Sequence, residues 1–126
     1  MLSEREIMAK TASVDKRVDA MMAKCSGIID VMDDNKKLLV SDMLHSYWWL
    51  SIQALDLETR INEEGTMIPI ECGTVNNRHT EIKTNPAIKA MQQLETRKGD
   101  FYTKIMRYLT NAEKDDLDSL DDFLKA

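Results

Sequence analysis

Basic side chains are concentrated between residues 78 and 107, where acidic side chains are few. The basic set is Arg78, Lys83, Lys89, Arg97, Lys98, Lys104 and Arg107. The stretch has a net charge of +4, whereas residues 1–77 carry −5 and residues 108–126 carry −4. Ammonium and guanidinium groups bind phosphate oxygens, and each such contact with a nucleic acid steepens the dependence of affinity on salt. These residues are therefore candidates for phosphate binding. The alternative is a solvated helix face on which Arg97 and Lys98 pair with Glu95 and Asp100.

Residues suited to catalysis or metal binding are few and scattered. His79 follows Asn77 and Arg78 and lies near Cys72 in the sequence, and an imidazole can act as a general base. No carboxylate-rich set or second histidine accompanies it, and neither cysteine has the spacing of a zinc ligand. We expect no catalytic centre, no metal and no cofactor, and we expect both cysteines to be free thiols.

Apolar spacing predicts the helices that position the basic residues. Side chains three and four residues apart indicate one helix between Val14 and Met32, with Ser13 as a possible N-cap, and a longer helix from Lys36 to Glu64. We expect Asn35 to cap the longer helix and Gly65 to end it. Ser3 and Glu6 have the spacing of a capping box, which predicts a separate short helix at the start of the chain.

The helical period is absent between residues 66 and 84. Met67–Ile70 reads as an extended segment, and Pro69 restricts any strand to a short one, to a sheet edge, or to one completed by another chain. Asn85 and Pro86 then predict the start of a second long helix, because asparagine caps helices and proline fits their first position.

The C-terminal segment combines carboxylates with an apolar face. On a helix, one side would present Leu117, Leu120, Phe123 and Leu124. So short a helix does not persist alone in water, so we expect it to order by docking into a groove on a partner. Charge that merely keeps the protein soluble is the alternative.

The long helix has an aromatic centre. Trp48 and Trp49 project about 100° apart on a helix, so both cannot face one partner within the same chain. This predicts a homo-oligomer whose interface includes Met43, Tyr47, Trp48, Trp49, Leu50 and Leu57. A base-stacking role for the tryptophans is the weaker reading, since their neighbours are apolar.

These elements predict an all-α fold with two long antiparallel helices joined by a short extended or loop insert, plus an N-terminal helical arm and a short acidic C-terminal helix. We divide the chain into an N-terminal helical arm (residues 1–34), a helical core that forms the oligomer (35–110) and an acidic tail (111–126). No apolar run is long enough to span a bilayer, and the N-terminus lacks the pattern of a secretion signal, so we expect no membrane association and a cytoplasmic location.

The stretch from Asp42 to Leu109 resembles the small-subunit terminases of tailed bacteriophages. The resemblance begins with Tyr47-Trp48-Trp49 in a helix that closes at Glu63-Glu64-Gly65, and it continues through Met67-Ile68-Pro69 and Asn76-Asn77-Arg78-His79. Its most specific part is Glu81-Ile82-Lys83-Thr84-Asn85-Pro86-Ala87-Ile88-Lys89, followed by the polar turn Leu109-Thr110-Asn111. The acidic, leucine-bearing end is also similar to that family. Residues 1–34 are not covered.

The resemblance implies a ring-like homo-oligomer in the cytoplasm of an infected bacterial host. Such a protein binds double-stranded viral DNA at the packaging initiation site and regulates the large terminase subunit, which holds the ATPase and the nuclease. It has no catalytic centre of its own. The alternative is a coiled-coil scaffold or regulatory adaptor that never touches DNA. Whether residues 1–34 bind DNA stays open.

Overall fold

The computed structural model describes residues 13–126, which form five helices and a β-hairpin. In chain order the elements are α1 (Val14–Lys24), α2 (Ser26–Ile29), α3 (Asp34–Glu64), β1 (Met67–Thr74), β2 (Asn77–Thr84), α4 (Pro86–Met106) and α5 (Asn111–Lys125). The all-α prediction is wrong, because residues 67–84 pair as an antiparallel two-stranded sheet. The single helix predicted between Val14 and Met32 is two helices, α1 and α2, which meet at Cys25. The short helix predicted around Ser3 and Glu6 falls outside the described residues.

Local capping explains where the first helices begin. The Ser13 hydroxyl accepts a hydrogen bond from the Lys16 backbone N–H at 3.3 Å, which confirms the predicted cap of α1. For α3 the predicted cap, Asn35, is wrong. The Asp33 carboxylate accepts from the Lys36 N–H at 2.9 Å, so the helix begins two residues earlier than expected.

Gly65 and Asn85 close the base of the hairpin between α3 and α4. Gly65 ends α3 with φ of 95°, a conformation that disfavours side chains with a Cβ. The Asn85 side chain accepts from the Ala87 N–H at 3.1 Å and donates to the Gly65 carbonyl at 3.0 Å. The Asn-Pro start of α4 is thereby confirmed, and the same asparagine joins the start of α4 to the end of α3.

The β-hairpin pairs in register from Met67 with Thr84 to Thr74 with Asn77. A two-residue turn, Val75 and Asn76, joins the strands. In a two-stranded sheet each strand has a free edge, which is why β1 tolerates the missing N–H of Pro69. All of β2 is exposed to solvent.

One hydrophobic core unites the helices. Val18 of α1, Ile28 of α2, Trp48 of α3, Ile105 of α4 and Leu117 of α5 all belong to it. The division into arm, core and tail therefore does not describe how the described residues pack, since α1, α2 and α5 contribute to the same core as α3 and α4.

The acidic tail is ordered against its own chain rather than requiring a partner. Its helix starts with a capping box formed by Thr110 and Glu113. Leu117 and Leu124 are buried in the core and Leu120 packs against it, while Phe123 is 42% exposed. Of the four residues predicted to bind a partner, Phe123 is the most exposed, because the core covers Leu117 and Leu124 and partly covers Leu120.

Candidate nucleic-acid interface

Helix α4 presents a stripe of cations along its outer surface. At about 100° and 1.5 Å per residue, the four basic residues Lys89, Arg97, Lys104 and Arg107 project within an arc of about 80° and span about 27 Å. All four are exposed, and Arg107 lies at the C-cap of the helix. We call these four residues the α4 stripe. Its length is that of roughly eight base pairs, at 3.4 Å per step along a duplex.

Lys98 belongs to the opposite side of the same helix. It projects about 180° from Lys89 and is 8% exposed. Its ammonium group lies 3.3 Å from the Asp121 carboxylate and 5.4 Å from the centre of the Tyr47 ring. The structure therefore removes Lys98 from the predicted phosphate-binding set, because α5 and α3 enclose it.

The Asp121 carboxylate of α5 contacts Lys98 of α4 and Tyr47 of α3 and so connects three helices. It accepts a hydrogen bond from the Tyr47 hydroxyl at 3.2 Å and lies 3.1 Å from the Lys125 ammonium. Although burial alone would raise it, the pKa of Asp121 is lowered by the positive charges of Lys98 and Lys125. Burial, followed by the charge of Asp121, raises the pKa of Tyr47, so this phenol stays protonated and remains a donor. The acidic helix is thus fixed to the inner side of α4.

The remaining predicted cations, Arg78 and Lys83, are exposed on β2. Lys83 lies 3.3 Å from Glu81, which also lies 3.0 Å from the His79 imidazole. Hydrogen bonds from His79 and then from Lys83 lower the pKa of Glu81, so this carboxylate is charged and offsets one cation of the hairpin. The hairpin is therefore a weaker attractor for phosphate than the α4 stripe.

Two further polar residues lie within the arc of the α4 stripe. Gln93 and Asp100 project about 40° and 20° from Lys89, and both are exposed. The alternative reading of the sequence paired Asp100 and Glu95 with Arg97 and Lys98. No such ion pair forms among residues 13–126, since Lys98 pairs with Asp121. Sequence reasoning considered Asp100 only as an ion-pair partner and missed Gln93, although the helical period alone places both residues within this arc.

An open depression of about 560 Å³ adjoins the stripe near its N-terminal half. It is lined by Ala90, Gln93, Leu94, Thr96 and Arg97. Its floor is apolar and its edge carries the amide and the guanidinium group, which gives this part of α4 both apolar and hydrogen-bonding surface.

The predicted oligomer interface divides between core and surface. Met43, Tyr47, Trp48 and Leu50 are buried within one copy of the chain. The Trp48 indole N–H donates to the Cys25 sulfur at 3.2 Å, and the Tyr47 ring packs edge-on at 4.9 Å. These four side chains are therefore core residues, and the interface prediction is wrong for them.

Trp49 and Leu57 remain at the surface of α3. Trp49 is 38% exposed and Leu57 is half-buried. Sequence reasoning overlooked Leu38 and Leu39, which are 68% and 45% exposed on the same helix. Leu38 projects within about 20° of Trp49, and Leu39 projects in the direction of Leu57. These four apolar side chains lie along the outer side of α3 with polar residues such as Asp42 and Gln53 between them. We call Leu38, Leu39, Trp49 and Leu57 together the apolar band.

The described residues contain no assembled metal site. Within residues 13–126, no group of three or more histidine, cysteine or carboxylate side chains is arranged to hold a metal ion. In the same range, no helix is long and apolar enough to cross a membrane. Comparison of the chain with family models, curated proteins and solved structures finds no match.

Proposed function

We propose that the chain is a DNA-binding small subunit of a bacteriophage packaging terminase, acting in the cytoplasm of the infected bacterium. The observation that carries the proposal is the α4 stripe, four exposed cations along one side of a helix. This helix starts with the Asn85-Pro86 sequence on which the family resemblance rests. Double-stranded viral DNA is the proposed ligand, and no catalytic step is assigned to the chain.

Charge separation within the fold supports DNA as the ligand despite the net charge of −5. Asp118 and Asp121 of α5 bind Tyr102 and Lys98 on the side of α4 that faces away from the stripe. The α5 carboxylates nearest to α4 are therefore turned away from DNA approaching the outer side. In an assembly of several copies, the stripes would act together and raise the affinity above that of one copy.

The apolar band on α3 supports the homo-oligomer. Leu38, Leu39 and Trp49 are solvent-exposed in one copy, and burial of such side chains contributes about 25 cal/mol per Å². We propose that this band, rather than the buried Trp48, contacts the next copy. The large terminase subunit is then the proposed partner of α5, at its exposed face around Phe123.

Two measurements on the same sample test this proposal. Light scattering is expected to give the mass of a defined oligomer, and Trp49→Ser is expected to lower that mass while leaving the helical circular dichroism unchanged. Fluorescence anisotropy with duplex DNA is expected to show affinity that falls steeply between about 50 and 200 mM salt. A monomer without measurable affinity for any duplex would refute the proposal.

A protein-only scaffold is the second candidate, and the exposed apolar band favours it, because Leu38, Leu39 and Trp49 serve protein contacts in either case. The two functions differ in the role of the α4 stripe. A scaffold would assemble and show no DNA complex at any salt concentration, and neutralising Lys89 and Arg107 would change nothing. For the packaging subunit, the same double substitution is expected to weaken DNA binding without altering the mass.

A further inference from the structure

Asp100 is a carboxylate in the middle of a phosphate-binding surface. It projects between the directions of Lys89 and Lys104, is exposed, and forms no ion pair with another residue in the described range 13–126. A surface that binds only the DNA backbone gains nothing from a negative charge there, because the carboxylate repels phosphate. Asp100 is near Arg97 and Lys104 in the helix, where opposite charges support α4, and its free oxygens suit a contact with a hydrogen-bond donor rather than with phosphate.

The base edges in the major groove provide such a contact. A carboxylate accepts a hydrogen bond from the N4 amino group of cytosine, a glutamine pairs with N6 and N7 of adenine, and an arginine pairs with O6 and N7 of guanine. Gln93, Arg97 and Asp100 supply these three side-chain types within about 10 Å along the helix. Lys89 lies on one side of this central group, and Lys104 and Arg107 lie on the other, where the groove walls carry phosphates.

The shape of α4 fits this arrangement. The major groove of a duplex, about 12 Å wide, admits one α-helix. Along α4 the residues on the outer arc are exposed over the whole length, and the bulky contacts with α3 and α5 lie on the other side. Gln93 and Arg97 also border the depression that contains Ala90 and Leu94, an apolar surface suited to a thymine methyl group.

We propose that α4 is a recognition helix that reads sequence in the major groove, with Gln93, Arg97 and Asp100 on base edges and the flanking cations on phosphates. The proposal rests on the proposed function and adds to it the mode of recognition. Asp100 is then a specificity-determining residue: it favours cytosine and disfavours DNA whose bases offer it no donor.

Selection from a library of random 20-base-pair duplexes tests this inference with the full chain. The parent protein is expected to enrich a motif with at least one fixed cytosine. Asp100→Ala is expected to lose the preference at that position while binding the unselected library more tightly, because a repulsive charge is removed. For the enriched duplex, replacing that cytosine is expected to weaken parent binding by about 5- to 150-fold and to leave the variant nearly unaffected.

Asp122→Ala is the matched control, since it removes an exposed carboxylate from α5 rather than from the stripe. It is expected to enrich the same motif as the parent. Gln93→Ala, as a second variant, is expected to lose a different position of the motif. Circular dichroism of all three variants verifies that the helices are intact.

The possible failures are distinguishable. If the parent binds the library but enriches no motif, recognition by α4 is wrong and DNA binding stands. A motif that is unchanged in Asp100→Ala and in Gln93→Ala would also overturn the inference. If the parent binds no duplex at all, both the proposed function and recognition by α4 are wrong.

Discussion

Replacing Lys98 by methionine tests whether the two sides of α4 have the separate roles assigned to them. Methionine retains most of the aliphatic stem and removes the charge that faces Asp121. Lys104→Met is the matched control, because both lysines lie on α4 and each has its ammonium group about the same distance from an aromatic ring, 5.4 Å for Lys98 on Tyr47 and 5.5 Å for Lys104 on Phe101. Only Lys98 is enclosed.

The expected loss of stability in Lys98→Met depends on the partners that Asp121 retains. Removing one partner of a buried ion pair costs roughly 3–5 kcal/mol when the other charge is left alone. Here the carboxylate is 18% exposed and retains Lys125 at 3.1 Å and the Tyr47 hydroxyl at 3.2 Å. We therefore expect Lys98→Met to lower the free energy of unfolding by about 2 kcal/mol, which corresponds to about 8 °C in Tm for a domain of this size. Lys104→Met is expected to change it by less than about 0.5 kcal/mol.

Equilibrium urea unfolding at a fixed protein concentration measures these differences, since oligomer stability depends on concentration. Duplex binding is expected to show the opposite ranking. Lys104→Met reduces the salt slope of the affinity by about 0.9 per engaged copy, and Lys98→Met leaves the slope unchanged. The reasoning is refuted if Lys98→Met unfolds like the parent and weakens DNA binding as much as Lys104→Met does.

Three further substitutions test contacts within one copy. The pKa of Asp121 is lowered in the folded state, so its ionised carboxylate stabilises the fold at neutral pH and loses this contribution as the pH falls through the lowered pKa. In unfolding measurements from pH 6 to pH 2, the stability difference between the parent and Asp121→Asn should therefore shrink. Asp56→Ala removes the carboxylate that lies 2.8 Å from the Arg17 guanidinium, a side chain that is only 3% exposed. It is expected to lower the free energy of unfolding in urea by about 2 kcal/mol. The double variant Arg17→Leu with Asp56→Leu should recover most of that loss, and the absence of any recovery would contradict a buried ion pair. Gly73→Ala would place a Cβ 2.1 Å from the Asn77 carbonyl oxygen at φ of 95°, so amide hydrogen exchange should accelerate in β1 and β2 while the helices keep their protection.

Helix positions were predictable because the signals that set them are local. The Ser13 and Asn85 caps, the Gly65 ending and the apolar period each depend on residues within about one helical turn. The error at the start of α3 has the same origin. Asp33 and Asn35 have equally suitable side chains, and the choice between them depends on which residue adopts extended backbone, here Asp33 with ψ of 162°.

The β-hairpin was missed because its second strand has no apolar alternation. In β2 the only aliphatic residue is Ile82, and every residue is exposed. Its stability instead depends on cross-strand pairing, such as Ile82 opposite Pro69, which joins residues 13 positions apart in the sequence. Single-strand periodicity carries no information about such pairs. The extended conformation of Met67–Ile70 was predicted, but the polar residues of β2 gave no sign that this segment is the strand that pairs with it.

Long-range packing determines which of the two tryptophans is buried and where the C-terminal helix packs. The helical period fixes the 100° between Trp48 and Trp49, but it cannot say which of them faces the core. That choice depends on residues such as Cys25 at the C-cap of α1, whose sulfur accepts a hydrogen bond from the Trp48 indole N–H and which lies 23 residues away in sequence. The expectation that the tail orders only against a partner is wrong, because Leu117 and Leu124 join the core of the same chain and Asp121 accepts a hydrogen bond from the Tyr47 hydroxyl.

The position of α5 matters for the proposed DNA-binding surface, because the chain as a whole has a net negative charge. Electrostatic attraction depends on local charge within about one Debye length, near 8 Å at physiological salt, rather than on the total. Asp121 pairs with Lys98 and Lys125, and Asp118 accepts a hydrogen bond from Tyr102, so the α5 carboxylates closest to α4 have partners on its inner side. The outer stripe then keeps a local excess of cations. A free acidic tail would lack this order, since it could fold over the stripe and compete with phosphate. Fixing α5 through buried side chains therefore keeps its carboxylates away from the proposed DNA-binding surface and also stabilises the core.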